Sequence, residues 1–133
     1  MNSETARPGD STRASILVVE DEEVVRDFLT SALELDGYDV EAVEDGRAAL
    51  EYLKQGPVDL IIADCLMPVM DGCRLHEELR QRNDPHADRM IFISGAMGRD
   101  PVRTFLNESG APALEKPFGT AELREILTRV LGH

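Results

Sequence analysis

Apolar residues along this chain follow two patterns that alternate from start to end. Short runs rich in Val, Ile and Leu lack the period-two alternation of a half-exposed strand, which is typical of parallel strands buried on both faces. The segments between them repeat apolar residues every three or four positions and indicate amphipathic helices. The expected strands cover residues 15–19, 38–43, 58–64, 90–93 and 111–114.

This alternation of five strands and five helices, with short connections, predicts the fold class. Right-handed β–α–β units build a parallel sheet with helices on both faces. We therefore predict an α/β fold, a flavodoxin-like doubly wound sheet of five parallel strands in the order 2-1-3-4-5. Residues 38–43 alternate more than the other runs, so the second strand is expected at an edge of the sheet.

The length of the chain bounds the number of domains. Its 133 residues are enough for one domain with a real core. Residues 1–14 are polar, contain Pro and Gly, and show no periodicity. We expect them to be a disordered tail or the remnant of a linker, with the folded domain covering residues 15–133.

Charge and hydropathy narrow the possible partners and the compartment. The formal charge of −12 argues against nucleic-acid binding through this domain, because phosphate contacts need Lys and Arg. It is compatible with a cation site or a basic protein partner. No apolar run approaches the length of a membrane span, and no signal-peptide core is visible. We expect a cytoplasmic protein in which Cys65 and Cys73 are reduced thiols, since their spacing fits no metal motif.

Several ionisable residues are expected to have only structural roles. Glu22 and Glu23 stand at the start of the first helix, where acidic side chains interact favourably with the helix dipole. His76, His86 and His133 are scattered along the chain, and we expect them to face solvent.

Polar side chains stand where four of the five strands end. Glu20 and Asp21 follow the first strand, Asp64 ends the third, Ser94 follows the fourth and Lys116 follows the fifth. The carboxyl ends of parallel strands share one edge, and the switch point of the order 2-1-3-4-5 lies between strands one and three. Three carboxylates gathered there repel one another. A hard divalent cation removes that conflict, and Mg²⁺ prefers such oxygen ligands.

A pocket of this composition suits a phosphoryl group. A cation and the Lys116 ammonium would neutralise developing charge, and the Ser94 hydroxyl would donate to one oxygen. A carboxylate can itself act as the nucleophile and form an aspartyl phosphate. Asp64 is the natural candidate, because it lies between the expected cation ligands and Lys116.

These residues, in this order, carry a resemblance to a known family. The acidic pair after strand one, Asp64 with Met67-Pro68 and Asp71-Gly72 behind it, Ser94, and Lys116-Pro117-Phe118 are together highly specific. From Ile16 to Leu131 the chain resembles the receiver domain of two-component response regulators. The run from Phe105 to Phe118 looks most like receivers attached to hybrid histidine kinases.

The resemblance implies a mechanism and a set of ligands. Asp64 would accept a phosphoryl group from the phosphohistidine of a sensor histidine kinase or a phosphotransfer protein. Mg²⁺ would be held by Asp21, Asp64 and the backbone carbonyl of Leu66, with Glu20 helping through water. Ser94 and Lys116 would contact the phosphoryl oxygens.

The same resemblance adds expectations beyond the ligand set. A cis bond is expected between Lys116 and Pro117. The domain would be a signalling module and not an enzyme, its downstream protein partner is left open, and a dimer that forms on phosphorylation is one possible response.

Two positions depart from the family pattern. The family usually has Tyr or Phe three residues before the lysine, where this chain has Ala113. A methyl group cannot report a movement of Ser94 by rotating, so we expect signal to leave by displacement of a loop or helix. Leu66, two residues after Asp64, replaces a residue that is often polar and flanks the path of an attacking water.

Two other functions compete with a phosphorylated receiver. A phosphatase of the haloacid dehalogenase type also uses an aspartate at a strand end, but it needs a second carboxylate two residues later, where Leu66 stands. That alternative is rejected. A pseudo-receiver that binds partners without phosphorylation is opposed by Asp21, Asp64, Ser94 and Lys116, while Ala113 leaves it open.

Overall fold

The structure is a computed structural model that describes residues 13–67, 69–96 and 98–132. Strands and helices alternate along it, with one short 3-10 helix at Pro85–Asp88 before the fourth strand. The strands are β1 (Ser15–Val19), β2 (Asp39–Val43), β3 (Leu60–Asp64), β4 (Met90–Ser94) and β5 (Ala113–Glu115). The helices are α1 (Glu23–Leu35), α2 (Gly46–Leu53), α3 (Gly72–Gln81), α4 (Val102–Ser109) and α5 (Thr120–Leu131).

All five strands join one parallel sheet in the order β2-β1-β3-β4-β5. This confirms the predicted α/β doubly wound fold, including the edge position of β2. In the register between β1 and β3, Val19 pairs with Ala63. The residues that follow Val19 and Ala63, which are Glu20 and Asp64, therefore lie side by side at the carboxyl edge of the sheet.

Helices cover both faces of the sheet, because alternate residues of each buried strand point to opposite sides. Ile61 and Ala63 of β3 belong to one core, and Leu60 and Ile62 belong to the other. On the first face the buried helix residues are Ala49, Leu75, Leu79 and Val102, from α2, α3 and α4. On the second face they are Leu29, Leu33, Leu123, Ile126 and Leu127, from α1 and α5.

The turn from β3 into α3 is closely packed, and it holds Asp64 in place. A Cβ on Gly72 would lie 2.6 Å from the carbonyl oxygen of Asp64, so only glycine allows the helix to begin this near the strand. The Asp71 side chain accepts a 3.0 Å hydrogen bond from the amide of Arg74 and caps the helix. Pro68, part of the expected loop motif, lies outside the described residues.

The expectation that His86 faces solvent is wrong. His86 is 6% exposed, and both of its ring nitrogens have partners. Nδ1 lies 2.7 Å from Asp84 Oδ1, and Nε2 accepts a 3.1 Å hydrogen bond from the amide of Val58. This histidine joins the connections before β3 and β4 at the amino edge of the sheet.

The expectation for His76 is also wrong. His76 is 7% exposed, and its ring makes edge contacts with Phe92 and Phe105, with centroids 5.7 Å and 5.4 Å away. Burial lowers the pKa of His76, so the neutral ring is favoured. His133 lies outside the described residues.

The N-terminal boundary can be followed only from Arg13. The Arg13 guanidinium lies 2.8 Å from the Asp39 carboxylate, and the Ala14 carbonyl accepts a hydrogen bond from the Asp39 amide. Residues 1–12 lie outside the described part of the chain, and the predicted tail is untested there. Among the described residues, no helix combines the length and apolar character that a membrane span requires.

Candidate functional site

The carboxyl edge of the sheet brings the predicted side chains together. Carboxylate oxygens of Glu20, Asp21 and Asp64 all lie within 4.8 Å of one another. Glu20 and Asp64 are buried, whereas Asp21 is exposed. Lys116 follows β5, and its side chain contacts Glu20 and Asp64 of this cluster. These residues are far apart in the sequence, so no local sequence pattern indicates the contact.

Both carboxylate oxygens of Asp64 are held in place. The side chain is only 5% exposed. Oδ1 accepts a 2.9 Å hydrogen bond from the amide of Leu66, and Oδ2 accepts one of 2.7 Å from Lys116 Nζ. The carboxylate is thus oriented by its own loop on one side and by the ammonium on the other.

Lys116 is the shared cation of this edge. Its Nζ lies 2.7 Å from Asp64, 3.0 Å from Glu22 and 3.2 Å from Glu20. Burial alone would lower the pKa of Lys116, but hydrogen bonds to Asp64 and Glu22 and the charges of Asp64 and Glu20 outweigh it. The net effect raises the pKa, so the side chain is charged throughout the neutral range. The bond between Lys116 and Pro117 is cis, as the resemblance implied.

Glu22 stands at the start of α1 as expected, but it also has a contact in the site that the sequence did not indicate. Its side chain makes no capping hydrogen bond at the start of α1, and Oε1 instead accepts a 3.0 Å hydrogen bond from Lys116. The side chain is 62% exposed, so it forms the outer wall of the site. Sequence reasoning missed this contact because Glu22 and Lys116 are 94 positions apart and a cap is the commoner role for such a residue.

Glu20 is the least satisfied group in the site. It is fully buried, and Oε2 accepts a 3.1 Å hydrogen bond from the amide of Glu22. Oε1 accepts no hydrogen bond within the described part of the chain, although Lys116 Nζ is 3.2 Å away at an unfavourable angle. Burial, reinforced by the charge of Asp64, raises the pKa of Glu20 from 4.5 to about 7 despite the nearby ammonium.

These residues fit a hard divalent cation. A buried carboxylate oxygen without a hydrogen-bond partner is costly, and a cation beside it would remove that cost. Three converging carboxylates with an exposed member, Asp21, offer the oxygen ligands and open side that Mg²⁺ prefers. The role of the Leu66 carbonyl as a further ligand stays a prediction.

Ser94 occupies the predicted place between the two halves of the site. It ends β4, the strand between those that carry Asp64 and lead to Lys116. It is fully buried, and its Oγ accepts a 2.9 Å hydrogen bond from the amide of Ala96. Its carbonyl accepts from the amide of Lys116 at 2.9 Å, so Ser94 and the lysine are coupled through the backbone.

An apolar groove of about 480 Å³ opens beside Lys116. Val24 in α1 is 81% exposed, and Leu66 across the site is 49% exposed. The rings of Phe28 and Phe118 meet there at a centroid distance of 6.0 Å. The rim of a strongly acidic pocket is therefore apolar.

The family model for the response regulator receiver domain matches residues 16–128. With the fold and the acidic edge described above, this shows that the chain belongs to the receiver domain family of two-component systems. The resemblance drawn from the strand ends is thereby confirmed.

Known relatives agree with this assignment. The chain is 35% identical over 122 residues to the sensor histidine kinase TmoS of Ectopseudomonas mendocina. It is 36% identical over 127 residues to a probable transcriptional regulatory protein of Picosynechococcus. These matches cover 91% and 90% of this chain but only 12% and 48% of the two relatives, so the chain spans about half of their length or less.

One similar receiver domain of known structure contains a metal ion. The receiver of the sensor histidine kinase PA1611 from Pseudomonas aeruginosa has magnesium coordinated in its active-site cleft. It superposes with a TM-score of 0.78 at 31% identity, over 92% of this chain and 100% of that one.

Proposed function

We propose that this domain accepts a phosphoryl group on Asp64, in a Mg²⁺-dependent reaction, from the phosphohistidine of a histidine kinase or phosphotransfer protein. The observation that carries the proposal is the arrangement around Asp64. Its Oδ2 lies 2.7 Å from Lys116 Nζ, and carboxylate oxygens of Glu20, Asp21 and Asp64 lie within 4.8 Å of one another. No second carboxylate stands two residues after Asp64, which argues against the phosphatase alternative.

Glu20, Asp21, Asp64 and the Leu66 carbonyl are the groups that would hold Mg²⁺. When bound, the cation supplies positive charge that neutralises the phosphoryl oxygens during transfer. This role explains why the protein would keep a buried Glu20 oxygen that accepts no hydrogen bond from the described residues.

The transfer exchanges one bond for another at phosphorus. A carboxylate oxygen of Asp64 attacks, the P–N bond of the donor breaks, and its electron pair leaves with the imidazole. The product is an acyl phosphate on Asp64. Lys116 turns from the carboxylate to the incoming phosphoryl oxygens, where its charge stabilises the transition state. The Ser94 hydroxyl donates a hydrogen bond to one of those oxygens.

The chain's own residues also determine which donors can react. A small donor needs only the open side of the pocket near Asp21, whereas a protein donor must pack around it. The apolar groove beside Lys116, with Val24 and Phe28 on its wall, offers a surface for such packing. We propose that the domain promotes its own phosphorylation and dephosphorylation and is not a turnover enzyme.

The cellular location and the partners of the domain can be inferred from its proposed phosphoryl donor and its charge. A histidine kinase phosphorylates its receiver from the cytoplasmic side, so we propose a cytoplasmic location. The charge of −12 makes protein partners, and not nucleic acid, the expected targets of this domain. Dimerisation on phosphorylation stays a prediction.

A pseudo-receiver is the second candidate, because Ala113 lacks the ring that usually reports phosphorylation. The test is intact-protein mass after incubation with Mg²⁺ and phosphoramidate, whose P–N bond imitates phosphohistidine. We expect one phosphoryl adduct that disappears with a chelator or in Asp64→Asn. No adduct, together with no Mg²⁺ binding by calorimetry, would overturn the proposal and favour the pseudo-receiver.

A further inference from the structure

Two thiols lie directly behind the phosphoacceptor, and the proposed phosphoryl transfer uses neither. Cys65 follows Asp64 at the end of β3, and Cys73 is the second residue of α3. Both are free thiols in the structure. They bracket the loop that carries Leu66, so a bond between them would close that loop on itself.

The close turn at Gly72 is what brings the thiols together. Because a Cβ on Gly72 would meet the Asp64 carbonyl at 2.6 Å, the backbones of these two residues touch. Cys65 and Cys73 are the next residues on the two sides of that contact, and both pack into the core between the sheet and α3. The two side chains therefore belong to the same core cluster, one on each side of the close turn.

The two thiols differ in exposure. Cys65 is fully buried, whereas Cys73 is partly exposed and lines an open groove of about 330 Å³ with Arg74 and His76. A reagent in solution therefore reaches Cys73 first. The second thiol is then available only from inside the protein, which favours an intramolecular product over a dimer.

We infer that Cys65 and Cys73 are a modification site, where a small disulfide oxidant such as oxidised glutathione forms a reversible intramolecular disulfide behind Asp64. The Cys73 sulfur attacks one sulfur of the oxidant, whose S–S bond breaks and releases one glutathione thiol. The Cys65 sulfur then attacks Cys73, and the second glutathione thiol leaves. Two protein thiols are oxidised, one glutathione disulfide is reduced, and the two protons end on the released thiols.

This bond would tie the residue after the phosphoacceptor to the first turn of α3. The loop between them includes Leu66, whose amide holds Asp64 Oδ1 at 2.9 Å. Oxidation would thus restrain the loop that orients the nucleophile. That consequence for signalling rests on the proposed function, whereas the disulfide itself does not.

The test is peptide mass after oxidation, which does not depend on phosphorylation. The full chain is incubated with oxidised glutathione, free thiols are alkylated, and trypsin releases residues 55–74 with both cysteines. We expect a peptide that is two hydrogens lighter than the reduced form, is not alkylated, and is restored by reductant. In the oxidised protein, the amides of Leu66 and Val69 should exchange more slowly.

Matched serine variants separate the two steps. Cys65→Ser should stop with glutathione attached to Cys73, and Cys73→Ser should leave Cys65 reduced unless the protein is unfolded. Wild-type protein that stays fully alkylated, retains glutathione on Cys73, or forms disulfide-linked dimers would overturn the inference. Loss of phosphorylation in Asp64→Asn would leave the disulfide unaffected, so failure of the two proposals can be told apart.

Discussion

The two edges of the sheet both bury ionisable side chains. At one edge the buried side chain has all its hydrogen-bond partners among the described residues, and at the other edge it does not. At the amino edge, both ring nitrogens of His86 have partners, one in Asp84 and one in the Val58 amide. At the carboxyl edge, Glu20 is equally buried, yet Oε1 accepts no hydrogen bond from the described residues. Fully paired polar groups, as at the amino edge, stabilise the fold. An unpaired buried oxygen, as at the carboxyl edge, is suited to binding a cation or a phosphoryl group.

The comparison predicts that changes at the carboxyl edge alter chemistry and that changes at the amino edge alter stability. The largest effect is expected at Lys116. Lys116→Met keeps most of the length of the side chain but removes the charge that meets the phosphoryl oxygens, so phosphorylation by phosphoramidate should slow about 100-fold. The rate of adduct formation by mass spectrometry measures this.

Lys116→Arg is the matched control, because it retains a charge with different geometry. It should recover part of the lost rate. A Lys116→Met protein that reacts at the wild-type rate, while folding normally by circular dichroism, would show that the ammonium is only a structural counter-ion.

The second prediction concerns pH and Glu20. Its pKa is raised to about 7 in the folded, metal-free protein by burial and by Asp64. Between its ordinary pKa of 4.5 and about 7, the folded state binds more protons than the unfolded one, so this group's contribution to stability falls as pH rises through that window. The expected loss is up to roughly 3 kcal/mol.

Denaturant unfolding of wild type and Glu20→Gln from pH 4.5 upwards isolates that contribution. The variant should be less sensitive to pH and should become the more stable of the two at neutral pH. Mg²⁺ should stabilise wild type more than the variant there, because it binds the deprotonated carboxylate. Parallel pH profiles for the two proteins would contradict the assignment.

The third prediction tests the amino edge. His86→Ala removes the acceptor of the Val58 amide and leaves a buried donor unpaired, which should lower the free energy of unfolding by about 2 kcal/mol. The phosphorylation rate should change little, because the sheet separates the two edges. His86→Asn, which can offer an oxygen to the same amide, is the control and should lose less stability. A reversed result, with stability intact and phosphorylation lost, would break the comparison between the edges.

The fourth and smallest effect is expected near Ala113, on the face of the sheet that packs against α4. Ala113 pairs with Phe92, whose ring meets Phe105 of α4 edge-on at 5.0 Å. Phe105→Leu removes this contact and should cost about 1 kcal/mol, measured by denaturant unfolding. Phe28→Leu, at a looser aromatic contact of 6.0 Å, should cost less. Equal losses of stability in Phe105→Leu and Phe28→Leu would show that the edge-on contact with Phe92 contributes no extra stability.

The same face tests how a signal would leave. Since Ala113 cannot rotate a ring, we expect amide exchange to differ between free and phosphorylated protein outside the α4 face, in the β3–α3 loop. A response confined to the α4 face, as in an ordinary receiver, would count against this expectation.

Sequence reasoning reached the carboxyl edge because the strand order alone brings the ends of β1, β3, β4 and β5 together. Asp64 and Lys116 could therefore be paired across 52 positions without knowing any side-chain direction. Glu22 and His86 could not be placed in the same way. A local helix cap was the commoner role for Glu22, and the burial of His86 depends on two connections meeting at the far edge.

The most direct test of the account is to identify the residue that carries the phosphoryl group. Protein treated with phosphoramidate and Mg²⁺ is reduced with borohydride, which converts an acyl phosphate to an alcohol. The tryptic peptides of residues 14–26, which contain Glu20 and Asp21, and of residues 55–74, which contain Asp64, are then sequenced by mass spectrometry. The account predicts homoserine in place of Asp64 and no such conversion in Asp64→Asn. Conversion at Glu20 or Asp21, or an adduct that borohydride leaves unchanged, would contradict it.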